Sequence, residues 1–114
     1  MKKVFISVVA VTSVCLFFTI ACSSDKPSKP EKATEVGGAL FKQHCALCHP
    51  DGKNVIRKEK TLYRQDLEVN GIETPEDIIK VLRNPGPGMR KFDENTMSDE
   101  DAREIAVYVL DTFK

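Results

Sequence analysis

Cys45-Ala46-Leu47-Cys48-His49 is the stretch whose reading decides the fold of this 114-residue chain. C-x-x-C-H is the pattern by which haem is attached covalently to a polypeptide. Each residue type has a chemical reason to be there. Two thiols one helical turn apart can both add to the haem vinyl groups as thioethers. The histidine directly after the second then brings its imidazole under the iron as proximal ligand. Two other chemistries also use a C-x-x-C pair. A thiol–disulfide oxidoreductase working through Cys45 and Cys48 wants a strand before the motif and a βαβ context. A zinc site needs two further ligands, and the remaining cysteines, Cys15 and Cys22, are both N-terminal.

The N-terminus speaks to compartment. Lys2 and Lys3 precede an apolar run from Val4 to Ala21, softened by Ser7, Thr12, Ser13 and Thr19. That is the basic region and apolar region of a secretory signal. A retained membrane helix needs about 20 apolar residues, a length this run barely reaches. Thr19-Ile20-Ala21-Cys22 resembles a bacterial lipobox, with a small residue before the cysteine that carries lipid after cleavage. Thr19 departs from the pattern, which usually has an aliphatic residue there. The expectation is a lipoprotein-type signal peptide over residues 1–21 and lipidation at Cys22, with a retained anchor and plain secretion as alternatives. All three export the chain, and export suits covalent haem attachment. Ser23 after Cys22 is compatible with an outer-membrane lipoprotein facing the periplasm. Cysteine usage agrees: Cys15 leaves with the signal, Cys22 takes lipid, and Cys45 and Cys48 take haem, so no thiol remains for a structural disulfide.

Seventeen basic and seventeen acidic side chains balance over the whole sequence; losing Lys2 and Lys3 leaves 15 against 17. Nucleic-acid binding, which wants a basic surface, is not indicated. Near-balance also argues against strong steering by the whole surface, though a local patch is compatible with it. Residues 22–33 are polar and rich in Pro and Lys, as expected of a flexible tether between lipid and domain. The domain proper, residues 34–114, is small for a core without a staple. A covalently fixed apolar haem would supply one.

Periodicity predicts an all-α domain. Thr34 can cap a helix from Glu35 through Cys45 that turns Val36, Leu40 and Phe41 to one side. A shorter helix around Arg64–Val69 ends at Asn70-Gly71. Thr74-Pro75-Glu76-Asp77 starts another, with a capping Thr, Pro in the first turn and acids at the positive end of the dipole; it stops at Asn84-Pro85. Ser98 starts the last, whose apolar stripe comprises Ala102, Ile105, Ala106, Val109 and Leu110 and runs on to Phe113. The segments 50–62 and 85–96 read as loops.

With these elements in order, the domain resembles the class I c-type cytochromes: proximal motif first, methionine loop late, terminal helix last. More narrowly it is similar to cytochrome c6-like proteins, through Asn54-Val55-Ile56, Glu59-Lys60-Thr61-Leu62 and Asn70-Gly71. The run Asn84-Pro85-Gly86-Pro87-Gly88-Met89 brings it nearest to the outer-membrane monohaem c6-like lipoproteins of metal-reducing bacteria. The resemblance spans about Gly37 to Phe113. It implies a small cytochrome c fold, about four helices wrapped around one covalent haem c. Gly37 and Phe41 match the glycine and aromatic of the family's first helix, and Ile105 and Tyr108 match the aliphatic and aromatic of its last. The same resemblance puts Asn54, Lys60, Leu62 and Phe92 in the haem pocket, with a solvated loop as the other reading of Lys60.

The distal side of the iron remains to be filled. The two histidines are His44 and His49, and His44 shares the segment of the proximal motif and cannot cross to the other haem face. Met89 and Met97 are the sulfur candidates. Met89 sits in a Gly/Pro-rich loop and matches the family's distal methionine, followed three residues later by Phe92. Met97 precedes the Ser98 cap, where core packing is its expected role. An open site or a lysine ligand are the other possibilities. Where the family usually has Pro after the ligand, this chain has Arg90. His49/Met89 ligation would fill all six positions, favour Fe(II) and raise the potential. That suits a carrier of single electrons between periplasmic or outer-membrane redox partners, other cytochromes among them, and not an enzyme. An accessory or sensory haem lipoprotein is the alternative reading, beside the thiol–disulfide oxidoreductase.

Overall fold

The structure, a computed structural model, describes residues 29–114, with side chains from Thr34 onward. The expected signal peptide, the lipobox and Cys22 lie outside the described residues. The described residues form four α-helices: α1 (Lys29–His44), α2 (Arg64–Val69), α3 (Pro75–Arg83) and α4 (Asp99–Thr112). A tight turn over Pro50–Gly52 follows the cysteine motif, and no strand occurs among the described residues. The expected all-α class and the four-helix count are both met. None of the described helices is long and apolar enough to cross a membrane.

Helix starts behave as their capping chemistry dictates. Thr74 forms a reciprocal capping box with Asp77: its hydroxyl accepts from the Asp77 amide, and the Asp77 carboxylate accepts from the Thr74 amide. Those bonds, with Lys80 alongside, hold the Asp77 carboxyl well below the usual carboxylate range; the Thr74 hydroxyl contributes most. Ser98 caps α4 by accepting from the Asp101 amide. α2 spans the expected residues and ends on Asn70.

α1 departs from expectation. It begins at Lys29, so Thr34 lies inside the helix and residues 29–33 of the expected tether are helical. Pro30 is compatible with this early start, because a proline in the first turn has no amide that needs an intrahelical partner. Val36 is 40 % exposed. The helix is rotated so that Gly37, Leu40 and Phe41 face inward instead.

The reason for that rotation is the crossing of α1 and α4. A Cβ at Gly37 would lie 2.2 Å from the Glu104 carbonyl oxygen and 2.8 Å from Tyr108 Cβ. Only hydrogen fits there, so the two backbones meet at this point. Phe41 then packs on Tyr108 and on Phe113, with ring centroids 5.3 Å apart in each case. Ala102, Ile105, Ala106 and Val109 are buried along α4, as its stripe predicts. α2 is tied to the end of this layer, because the Arg64 amide donates to Phe113 O and its guanidinium to Leu110 O.

The turn after the motif docks under the same aromatic group. Gly52 has φ +78°, and a Cβ there would sit 2.6 Å from the Phe113 ring. Gly52→Ala is therefore expected to destabilise the protein by about 1–3 kcal/mol, through strain and overpacking together. Thermal unfolding of the variant checks this; an unchanged midpoint would mean that the turn does not bear on Phe113.

Candidate haem-binding site

α1 delivers the cysteine motif to the mouth of a cleft of about 560 Å³. The helix ends at His44, and the chain continues as a turn in which the Cys48 and His49 amides both donate to Cys45 O, at 3.1 and 2.8 Å. This winding puts Cys45, Cys48 and His49 on the cleft wall together. Leu47, between the cysteines, points away and is 91 % exposed. Cys45 is buried and Cys48 exposed. Burial, with the neighbouring Cys48, pushes the Cys45 thiol up to about 11.

His49 is oriented by its own loop. Its Nδ1 lies 2.9 Å from Lys53 O. A carbonyl can only accept, so Nδ1 carries the proton and Nε2 is left bare to bind a metal. Burial lowers the imidazole pKa, partly opposed by that hydrogen bond, and this favours the neutral ring a ligand needs. The loop is held in turn by the Val55 amide on Cys48 O and the Leu62 amide on Gly52 O.

Asn54 organises the same loop. Its Oδ1 accepts from the amides of Ile56 and Arg57, and its Nδ2 donates to Lys60 O. Asn54, Lys60 and Leu62 all line the cleft, but the polar atoms of Asn54 are engaged by backbone. Lys60 is exposed and Leu62 half-buried.

Met89 and Phe92 line the same cleft from the loop after α3. Met89 is partly buried, and Phe92 is fully buried. Met97 is buried in the core behind and does not reach the cleft. His44 lines the cleft with its ring edge-on to Phe92, centroids 6.2 Å apart. Arg90 also lines the cleft and lies over the Phe92 ring at 4.8 Å. Three features here were not anticipated from sequence: the Nδ1–Lys53 contact, the Gly52–Phe113 packing, and Ile56 lying against Gly88, whose added Cβ would come within 3.2 Å of Ile56 Cγ2.

These residues suit a haem. The volume is in the range of cofactor sites, and much of the wall is apolar, including Leu67, Ile78, Leu82, Ile105 and Val109. The donors are two thiols at thioether spacing, a bare imidazole nitrogen and a thioether sulfur. Among the described residues no group of three or more His, Cys, Asp or Glu side chains could hold a metal by itself, which removes the zinc reading as far as they extend.

The family model described as "Cytochrome C oxidase, cbb3-type, subunit III" matches residues 32–109. Cytochrome c6 of Cyanidium caldarium is 37 % identical over 113 residues, covering 96 % of this chain and 94 % of the relative. The chain is a class I c-type cytochrome of the c6-like kind. Among solved structures, "OmcF, Outer membrance cytochrome F from Geobacter sulfurreducens" is 49 % identical, with TM-score 0.67, over 68 % of this chain and 99 % of that one. Cytochrome c6 from the diatom Phaeodactylum tricornutum is 35 % identical, with TM-score 0.63, over 68 % and 91 % respectively. The cytochrome binds one covalent haem c, and its family consists of electron carriers.

Proposed function

We propose that this cytochrome carries single electrons between redox proteins outside the cytoplasmic membrane, using one haem bound to Cys45 and Cys48 and ligated by His49 and Met89. The observation that carries this reading is that all four side chains line one cleft, with the His49 Nδ1 proton committed to Lys53 O. The haem iron supplies the chemistry by taking up one electron as Fe(III) becomes Fe(II) and releasing it in the reverse step.

The residues do the rest. Cys45 and Cys48 would hold the cofactor covalently at the end of α1. His49 presents Nε2 from a ring that its hydrogen bond prevents from rotating. Met89 would offer the iron a soft neutral sulfur, which favours the reduced state, and with His49 it would leave no vacant coordination site for a substrate. Leu82, Phe92 and Ile105 exclude water, which limits the solvent reorganisation that accompanies each electron. A lipoprotein signal over residues 1–21 and a lipid on Cys22 would hold the domain at the outer membrane through residues 22–33, with residues 34–114 forming the redox domain. The lipobox-like sequence and the printed name of OmcF support this placement.

Charge around the mouth supports one direction of approach. Arg57, Lys60 and Arg90, all exposed, line the cleft together with one half-buried acid, Asp66, while Lys53, Lys58 and Lys91 lie near them in sequence with Glu59 as the acid of that stretch. Elsewhere in residues 34–114, acids outnumber bases. Val55 and Ile56, in the same segment, are exposed as well. A partner with an acidic face fits this rim.

The test is a reversible redox titration of the holoprotein, followed by reduction kinetics with anionic ferrocyanide and cationic hexaammineruthenium(II). A one-electron couple is expected. The ferrocyanide rate should fall several-fold between about 0.01 and 1 M salt, as the Debye length shrinks from about 30 to 3 Å, and the ruthenium rate should rise. Failure to accept an electron would sink the carrier reading. Salt effects of the opposite sign, following the acidic domain as a whole, would move electron entry away from the basic rim.

A further inference from the structure

We infer that Arg83 is the positioning residue for Met89: through the Phe92 carbonyl its guanidinium holds the methionine loop against the haem cleft. The inference rests on Met89 being the distal ligand.

The loop has little of its own to hold it in place. Between Asn84 and Lys91 the Met89 amide makes a long bond of 3.4 Å to Gly86 O. Nothing lies within 4 Å of where a Gly86 Cβ would be, and at Gly88, with φ +94°, Ile56 Cγ2 is the one neighbour that an added Cβ would meet. The anchorage is at the far end. Phe92 is gripped at both of its backbone polar groups by consecutive residues at the end of α3. Its amide donates to Leu82 O at 3.0 Å, and its carbonyl accepts from Arg83 Nη1 at 2.8 Å. This pins both ends of the segment carrying Met89 to the same turn of helix.

Arg83 is suited to the task by its shape. Its Nη2 pairs with Asp99 Oδ1 in the first turn of α4. The Arg83 side chain is 21 % exposed, against 71 % for Asp99. The pair with Asp99 is thus the solvent-facing one, and the shielded contact is the one to the Phe92 carbonyl. A planar guanidinium reaches two acceptors in two directions at once, which a lysine ammonium on a flexible stem does not reproduce. Phe92 passes the constraint on, because its buried ring lies in the cleft wall beside His44 and under Arg90. The methionine loop is thereby referenced to α3 and α4, the helices that also contribute Leu82, Ile105 and Val109 to the cleft.

An added ligand reaches the iron in proportion to how often Met89 leaves it, so its affinity reports the loop equilibrium. The experiment titrates imidazole into ferric holoprotein and records the methionine-to-iron charge-transfer band and the midpoint potential. Arg83→Gln should bind imidazole at least tenfold more tightly, with a weaker band and a lower potential. Arg83→Lys should fall between this variant and wild type, and it carries the test if the glutamine variant fails to load haem. Asp99→Asn, which keeps the bond to Phe92, should stay within about threefold of wild type. Ala106→Gly, at a buried site of α4 outside the cleft, should lower the melting temperature without altering imidazole affinity. That separates positioning from general loss of stability. Wild-type affinity and an intact band in both Arg83 variants would overturn the assignment of Arg83 alone. A wild-type protein with no methionine band, or a Met89→Ala variant with unchanged imidazole affinity, would overturn the Met89 reading and this inference with it.

Discussion

Met89→Ala is expected to leave haem covalently attached while opening the iron on its distal side. Cys45, Cys48 and His49 belong to the turn after α1, whereas Met89 reaches the cleft from the loop after α3. Its truncation should therefore spare attachment and proximal ligation. Loss of the sulfur should abolish the methionine-to-iron band and allow imidazole and carbon monoxide to bind. The potential should fall by a substantial part of the roughly 0.8 V range that axial ligands span. Met97 cannot step in, because it is buried in the core away from the cleft. Met97→Ala should instead cost stability, about 2–5 kcal/mol as for other buried methionines, with the ferric spectrum unchanged. Absorption spectra of the two variants decide between the sulfurs. Spectral change on Met97 substitution alone would reverse the assignment.

Gly37→Ala is expected to be the most damaging single-methyl change in the scaffold. In an exposed helix the substitution would be favourable by about 1 kcal/mol. Here the added carbon meets backbone at 2.2 Å from Glu104 O, an atom fixed within α4. Either the crossing opens or the helices shift, and both disturb Phe41 against Tyr108 and Phe113. Net destabilisation of about 2 kcal/mol is expected, a fall in melting temperature of about 8–16 °C for a domain of this size. Gly38 provides the contrast, since a Cβ there meets the outer ring atoms of Tyr108 at 3.0 Å. A flexible ring can give way, so Gly38→Ala should stay within about 1 kcal/mol of wild type. Equal melting temperatures for the two variants would refute the close crossing.

How much of this was legible beforehand follows from the range of the interactions involved. The starts of α3 and α4 were readable because Thr74 and Ser98 act on amides three residues away. The cysteine motif was readable because its chemistry is fixed by spacing along one turn. The start of α1 was misplaced because Thr34 can serve as a cap, yet the helix begins earlier, with Pro30 in its first turn. Periodicity groups Val36 with Leu40 and Phe41 in an apolar stripe but does not give the rotation of that stripe, which the Gly37 crossing decides. The Arg83–Phe92 bond spans nine residues and depends on how a loop returns to its helix, so it leaves no period in the sequence. Asn54 illustrates the same limit within the site. Its family position marks it as pocket-lining, and it does line the cleft, but its side chain folds the loop through backbone bonds that only coordinates reveal.

The most direct test of His49/Met89 ligation is a proton–carbon NMR spectrum of the ferrous holoprotein with methyl-labelled methionine. A methionine methyl held on the iron lies over the haem ring and is shifted far upfield by its current. One strongly shifted methyl is expected, absent from Met89→Leu, with the Met97 methyl in the ordinary range of a packed core. All methionine methyls at ordinary shifts, or a shifted methyl that survives Met89→Leu, would contradict the account.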